Sequence, residues 1–464
     1  MKPQLKWTGL ASAITLSLYA SAAFADPVSM QNVMAVAIDS NPQINQAEMN
    51  KQAIEFELEQ AEGLYLPRIS LEMSAGVRRL ENATRRSLGI ANDELYPVEA
   101  AIRAEQTLID FGRRRGEKLR QAARVDGAAL RVLERSEFIA LQSARQYLDV
   151  LLQQRVVAAA DDNLTFHNSL VSDLSSGVTA GSISTADLQQ AQERAKAASV
   201  RVSEAREALT NAKIELLALS GLEVDEVQMP PAMMEKLPVS LSEAVGLTRA
   251  RHPKVLEAQA DVDAANAEAK KHKGDFFPTI GLEFAGRIGD DIDSFRGETN
   301  DLLGRVVMRW DIFDGGINRA KYQEMVRRAS QSRFRLHETQ RNAEADTRRA
   351  WNSRETQTAV FRDLVDQSKA TDELLISYRE QFSVGRRSLL DVLDAQNTRF
   401  NVQVRAETAR FSEMFAVYQV LASTNNLLDA FNLSAPESRR VYAREEVGYG
   451  PPAPAELQRR RYPQ

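Results

Sequence analysis

Asp391 and Asp394 stand three apart in a stretch of helical periodicity, so both carboxylates fall on one helix face. Carboxylates paired in this way attract cations, although on spacing alone an ordinary solvated helix face is the plainer alternative. Asp187 follows Gly181 in a setting much like that of Arg387 after Gly385. Asp290, Asp291 and Asp293 could bind Ca²⁺ weakly, but their spacing lacks the EF-hand pattern and a solvated loop accounts for them better. The four histidines, at 167, 252, 272 and 337, are too scattered to suggest a metal site. There is no cysteine, which excludes a disulfide, a thiolate metal site, a thiol nucleophile and an acylated-Cys lipid anchor. No phosphate-binding Gly-Lys loop, GxSxG or HExxH occurs, so enzymatic chemistry has no motif behind it and no cofactor is expected.

The elements that carry these residues must be thin. The 464 residues are 43% apolar but only 6% aromatic, which favours many narrow helical contacts over thick globular cores. The net charge of −5 argues against a nucleic-acid partner. Lys2, Lys6, the apolar run from Leu10 to Ala23 and the sequence Ala23-Phe24-Ala25 form a secretory signal over residues 1–25. No later stretch has the roughly 18 uninterrupted apolar residues of a spanning helix, so any membrane segment must be built from strands.

The chain is a duplication. Asn41-Pro42 recurs as His252-Pro253, and Leu66-Pro67-Arg68-Ile69-Ser70-Leu71 as Phe277-Pro278-Thr279-Ile280-Gly281-Leu282, both at an offset of 211. Ile109-Asp110-Phe111-Gly112 matches Phe313-Asp314-Gly315-Gly316, Tyr147 matches Trp351, and Gly181 and Asp187 match Gly385 and Asp391, all at 204. The first half, 26–222, is expected to hold helices over 30–63, 112–176 and 185–220 with a β-hairpin at about 66–110. A linker, 223–238, leads to the second half, 239–433, with helices over 239–275, 316–383 and 388–431 and a hairpin at about 277–314. Residues 434–464, rich in Pro and ending near Arg459-Arg460-Arg461, read as a disordered tail. From Leu188 to Leu219 apolar residues, mostly Ala, recur at steps of three and four, a coiled-coil seam of close-packed helices. At 1.5 Å per residue, 112–176 would reach about 97 Å, roughly the length of the two shorter helices of that half laid end to end. The molecule should therefore be a tall, narrow wall.

Four strand runs alternate oily and charged residues, for example Ile69, Leu71 and Met73 against Arg68, Glu72 and Ser74, and Val306, Met308, Trp310 and Ile312 against Arg305, Arg309 and Asp311. This is the pattern of a lipid-embedded barrel with a wet interior. Four strands cannot close in lipid without copies of themselves. Two copies make an eight-stranded barrel filled by its own side chains, whereas three make twelve and leave a lumen, which predicts a homotrimer.

At this point the sequence resembles the TolC-type family of outer-membrane export channels. The resemblance runs up to about Leu433. It is carried by the Leu66-Pro67 and Phe277-Pro278 strand entries, the Asp110-Phe111-Gly112-Arg113-Arg114 and Phe313-Asp314-Gly315-Gly316 turns, and the tip Val384-Gly385-Arg386-Arg387-Ser388-Leu389-Leu390-Asp391-Val392-Leu393-Asp394-Ala395-Gln396. It implies a mainly α fold with a membrane β-barrel: a trimer with a twelve-stranded outer-membrane barrel continuous with a twelve-helix periplasmic tunnel, closed at its far end. It places the pore constriction at Asp391 and Asp394, two stacked rings of three carboxylates. It assigns a periplasmic gate to Arg387 and Asp187. Phe382 stands where family channels have a tyrosine, so a hydroxyl link is missing and closure is differently wired. It implies docking of a periplasmic adaptor at the tips, around Gly177, Gly181, Val384 and Gly385. Cargo would come from an inner-membrane transporter, an ABC or a proton-driven pump. The expected function is a passive exit duct for type I protein secretion, small-molecule efflux or both, in contact with outer-membrane lipid. The alternative is a periplasmic coiled-coil adaptor, which would carry one helical hairpin rather than two.

Overall fold

The computed structural model describes residues 27–449, so the expected signal segment 1–25 and residues 450–464 lie outside the described residues. The first half runs α1 (Met30–Ser40), α2 (Pro42–Gly63), β1 (Arg68–Ala75), a small lobe of β2 (Arg78–Arg79), α3 (Ala83–Ser87) and β3 (Glu94–Leu95), then β4 (Val98–Ile109), α4 (Arg113–Thr179) and α5 (Thr185–Ser220). The second half repeats the main elements as α6 (Leu241–Arg251), α7 (Pro253–Lys273), β5 (Thr279–Asp290), β6 (Glu298–Arg309), α8 (Ile317–Ser383) and α9 (Leu389–Ser423). Two short helices follow, α10 (Leu427–Ala430) and α11 (Ala443–Glu446). Among the described residues no helix is long and apolar enough to cross a membrane.

Two expected single helices are each broken in two. Pro42 and Pro253 cannot donate a backbone N–H, so each starts a new helix at its N1 position behind a capping side chain. Asn41 accepts from the Gln43 amide at 2.9 Å, and His252 Nδ1 from the Lys254 amide at 3.3 Å. These joints also receive the ends of the helices below. Asn41 Nδ2 donates to Leu219 O (3.0 Å) and Ser40 Oγ to Ser220 O (3.1 Å), covering the last carbonyls of α5. Thr248 Oγ1 does the same for Ser423 O of α9 at 3.2 Å. The short helices thus stack end to end, α5 under α2 and α9 under α7, alongside the 67-residue helices α4 and α8. Along α5 the buried apolar residues are Ala191, Ala195, Ala198, Val202, Ala205, Ala212 and Leu216, the expected thin seam. Gly116 of α4 lies so close to α7 that an added Cβ would stand 2.8 Å from the Lys271 backbone.

The widest core surrounds the joints. Met30, Val33 and Met34 of α1 pack with Tyr147, Leu148 and Leu151 of α4, Leu216 of α5, Tyr418 and Leu421 of α9, and Phe431. The Tyr147 hydroxyl lies 2.7 Å and 2.6 Å from the carbonyl oxygens of Val28 and Gln228, fastening the linker to this core.

The four long strands form one antiparallel sheet in the order β1-β4-β5-β6. The register places Leu71, Ile102, Gly286 and Leu302 in one row and Ile69, Ala104, Phe284 and Gly304 in another, all on one face. That face is apolar and uncovered: Leu302 is 85% exposed, and Ile69, Leu71, Met73, Val306 and Met308 are likewise exposed. The opposite face carries the charges, with Arg103 3.2 Å from Glu72, Arg287 3.3 Å from Asp301, and Glu283 bonded to both Arg305 and Arg309. β6 begins earlier and ends sooner than its alternation suggests, leaving Trp310 and Ile312 just past the strand.

The tail expected to be disordered from 434 is folded as far as Tyr449. It crosses α4 as a strap because two buried acids need a cation. Arg444 Nε bonds Asp126 Oδ2 and its Nη1 bonds Asp263 Oδ2, both at 2.7 Å, and Asp126, only 1% exposed, also accepts from the amides of Tyr442, Ala443 and Arg444. Composition missed this because its Pro content says nothing about two acids waiting on α4 and α7. Arg444→Ala strands those buried carboxylates and should cost about 3 kcal/mol. A thermal or urea unfolding curve in detergent checks it, and an unchanged midpoint would show the strap to be ornamental.

Candidate functional site

The two hairpin turns, α4 to α5 and α8 to α9, form the tips at the end of the molecule away from the sheet, and the sequence-predicted site residues gather there. Each turn needs a left-handed residue, supplied by Gly181 (φ 75°) and Gly385 (φ 73°). Gly181 N donates to Val178 O and Gly385 N to Phe382 O, both at 3.0 Å. Gly177 is not in the turn but in the last turn of α4. Its role is space, since a Cβ there would meet Ile183 Cγ1 at 2.5 Å, while its carbonyl accepts from the Ser182 amide at 2.9 Å. Val384 projects into solvent.

Each descending chain restarts as a helix behind a serine N-cap, Ser184 for α5 and Ser388 for α9. Asp187 and Asp391 are duplicates at the third helical position, where the amides of the first turn favour a negative charge. Asp391 closes a full capping box: its amide donates to Ser388 Oγ (3.3 Å) and its Oδ2 accepts from the Ser388 amide (3.3 Å) and hydroxyl (2.8 Å). Asp394 is exposed and has no ion pair among the described residues. The two carboxylates share a helix face, but only one is engaged in holding the helix start.

Arg387 is wired into its own hairpin. Its guanidinium carbon stands 4.1 Å from the Tyr378 ring centre, its Nε donates to Gln381 Oε1 at 3.2 Å, and its Nη1 is 3.8 Å from Asp391 Oδ2. Asp187 is half-exposed on α5, and no ion pair joins it to Arg387 within this chain among the described residues. Phe382 packs at the junction of two apolar clusters, one of Leu174, Ala191, Leu389 and Leu393 and one of Leu375, Val392 and Ala395. Burial of the ring, rather than a hydroxyl bond, fastens that position.

Sequence reasoning missed Tyr378 and Gln381 as partners of Arg387, and it missed the capping duty of Asp391. The second was visible as Ser-x-x-Asp before an apolar run; the first has no sequence signal beyond helical spacing. In the β5–β6 loop, Asp291 is buried and accepts from the amides of Tyr96 and Gly297, and Asp293 bonds Arg287, so these acids serve loop structure rather than standing free in solvent. Among the described residues no group of three or more His, Asp or Glu is placed to hold a metal ion.

A tall helical wall under a sheet with one oily and one charged face defines a membrane channel subunit. The profile of the outer membrane efflux protein family matches residues 33–222 and 244–426, one segment in each half, and the chain belongs to this family. It is similar to outer membrane efflux protein BepC of Brucella suis biovar 1, with 26% identity over 287 residues, 62% of this chain and 63% of that protein. It is also similar to alkaline protease secretion protein AprF of Pseudomonas aeruginosa, 22% identical over 238 residues, covering 50% and 49%. The chain thus matches a little under two thirds of the first relative's length and about half of the second's. Among solved structures, the Campylobacter jejuni CmeC outer membrane channel superposes with a TM-score of 0.76 at 14% identity, covering 96% of this chain and 98% of that one. The family places the chain in the outer membrane of a Gram-negative bacterium, and the proteins it resembles are channels, not enzymes. A match over both halves does not favour the adaptor alternative.

Asp391→Asn should loosen the start of α9 while Asp394→Asn leaves it intact. Hydrogen exchange over 389–393 reads the difference. Equal exchange in the two variants would remove the capping role.

Proposed function

We propose that three copies of this chain form an outer-membrane duct that receives cargo from an inner-membrane transporter through a periplasmic adaptor and releases it outside. The observation that carries this reading is the pair of open flanks. β1 and β6 are the outer strands of the sheet. β1 continues from α2, which with α5 exposes Met49, Phe56, Val200 and Ile214; β6 leads into α8, which exposes Phe334, Val360 and Ile376. Unpaired strand edges are not tolerated in hydrocarbon. Joining one flank to the other flank of a neighbour satisfies sheet and helices together, and a repeated heterologous contact closes into a ring. Three subunits give twelve strands around a water-filled lumen, lined by the charged sheet face, with twelve helices below.

In that ring the tips converge. Asp391 and Asp394 form two rings of three carboxylates, the constriction through which cations are drawn or at which multivalent cations lodge. Arg387 and Asp187 link neighbouring hairpins as a gate, and the turns around Gly177, Gly181, Val384 and Gly385 receive the adaptor. An exposed ion pair contributes only about 0–1 kcal/mol, so a gate of this kind works by threefold repetition and yields to a partner. The duct performs no chemistry, and the transporter supplies the energy. Its cargo is a secreted polypeptide, small molecules or both, in keeping with relatives named for protease secretion and for efflux.

Native mass measurement in mild detergent should give a trimer; a stable, folded monomer overturns the proposal. In single-channel recordings, replacing both Asp391 and Asp394 with Ala should abolish block by multivalent cations, and Arg387→Glu should raise conductance. Persistent block refutes the constriction, and unchanged conductance refutes the latch.

A further inference from the structure

Just above the tips, the seam between the two hairpins is interrupted. Below the interruption lie Leu174, Ala191, Leu389 and Leu393; above it lie Ala160, Val202, Ala205 and Phe400. Between these apolar clusters sit Asn163 and His167 of α4 and Gln396 of α9, exposed by only 2%, 5% and 1%. Gln396 Nε2 donates to Asn163 Oδ1 at 2.8 Å. Asn163 Nδ2, Gln396 Oε1 and His167 Nδ1 are buried without a hydrogen-bond partner. A buried polar layer in a helical seam fixes register but holds the helices together less firmly than an apolar layer would. Here the layer contains a titratable ring.

Among the described residues no ion pair reaches that ring. From α5, Arg194 and Arg201 oppose a positive imidazole and Glu193 favours it. At this height α9 offers Gln396, Asn397 and Phe400; Arg201 donates to Asn397 Oδ1 at 2.9 Å and lies 5.4 Å from the Phe400 ring centre. Arg399 of α9 is held by Asp372 of α8, and Arg379 of α8 sits over the neighbouring Phe166 ring. On α4 itself, Asp161 is taken by Arg206 of α5.

We propose that His167 is a proton-operated release in this seam: neutral, it lets α9 lie against α4, and protonated, it drives the two hairpins apart so that the tips loosen. The inference rests on the gated-tip reading above. Burial first, then Arg201 and Arg194, holds His167 below the ordinary histidine range. In a parted, hydrated seam the ring recovers its ordinary affinity, so the parted state binds the proton more tightly. The sign follows from that difference. Falling pH shifts the equilibrium toward parting, by up to about tenfold per pH unit for each histidine, starting near pH 6.5. The gain levels off once pH drops below the depressed value of the closed seam.

The absence of cysteine makes a clean test possible, because a single Ala180→Cys label in the assembled protein reports tip separation without a competing thiol. Spin-label distances at pH 7.5 and 5.5 should show the ratio of long-distance to short-distance population rising at the lower pH, by up to about tenfold for each histidine. In His167→Gln the distances should match at both pH values, whereas His252→Asn, which installs the residue found at the duplicated Asn41, should respond like the parent. A pH response that survives His167→Gln, or no response in the parent, overturns the proposal. Hydrogen exchange in the unaltered chain tests it without a substitution at the histidine. After correction for intrinsic rates, 160–170 of α4 should exchange faster at pH 5.5 while 139–151 does not; equal protection refutes the release. Conductance of Arg387→Glu at pH 7.5 separates the two readings. If it rises while the histidine tests fail, the gate stands and the release falls; if it is unchanged, the gate itself has failed.

Discussion

A strand edge is a row of N–H and C=O groups that water can satisfy and hydrocarbon cannot. The sheet of this chain has two such edges and an oily, uncovered face, and the proposed assembly rests on pairing those edges with other copies. Within that proposal the geometry of the chain limits which edges can pair. A two-fold dimer joining β1 to β1 would leave both β6 edges bare, and joining β6 to β6 would leave both β1 edges bare. Only β1 against β6, repeated until it closes, leaves none. Because β1 stands above α2 and α5, and β6 above α8, the same proposed contact would cover the exposed apolar residues of the helical flanks. The proposed ring thus meets the sheet requirement and the helix requirement with one contact.

Duplication explains how so narrow a wall stays straight. A 67-residue helix has no partner of its own length in its half, so it is flanked by two shorter helices whose junction would expose the last carbonyls of the lower one. Asn41 with Ser40, and Thr248 beside His252, cover those carbonyls at the joints. Around the joints the core is wide and aromatic. Toward the sheet, Arg444 pins a strap across α4 to α7. Toward the tips the seams are alanine-thin and include the Asn163, His167 and Gln396 layer. Cohesion therefore falls from the membrane end to the tips.

What the sequence disclosed and what it hid divide along the same physical line. Strand faces, the alanine seam and the turns at Gly181 and Gly385 follow from periodicity and φ preference, which are local, and they are present in the structure at the expected residues, whereas Gly177 falls inside α4. The helix breaks at Pro42 and Pro253 were legible too, since proline at N1 is a local signal, yet the continuous pattern around them outweighed it. The strap was not legible, because its stability lies in Asp126 and Asp263, far away in sequence. The same holds at the tip. The spacing of Asp391 and Asp394 gave a shared face, but that Asp391 is engaged by Ser388 while Asp394 is free is a matter of side-chain direction. The partners of Arg387 and the small lobe between β1 and β4, with Arg85 buried against Ser294, Ile90 and Asp93 carbonyls, depend on contacts that no window of sequence contains.

The tip also constrains how closure can be built in the proposed assembly. Every contact of Arg387, with Tyr378, Gln381 and Asp391, lies within the α8–α9 hairpin, so a latch to Asp187 of a neighbouring hairpin has to compete with partners already in place. The arginine is about a third exposed, which keeps any single ionic contact weak. Phe382 offers a different kind of closure: it bridges the cluster around Leu174 and Leu389 to the cluster around Leu375 and Val392, so the second hairpin cannot swing without exposing an aromatic ring to water. Apolar burial is indifferent to salt and pH, whereas ion pairs are screened. In the proposed assembly, a tip held by one phenylalanine per subunit keeps that contact as salt varies, which leaves the response to pH to the His167 layer above it. A partner that offered an alternative cover for the ring would open such a tip.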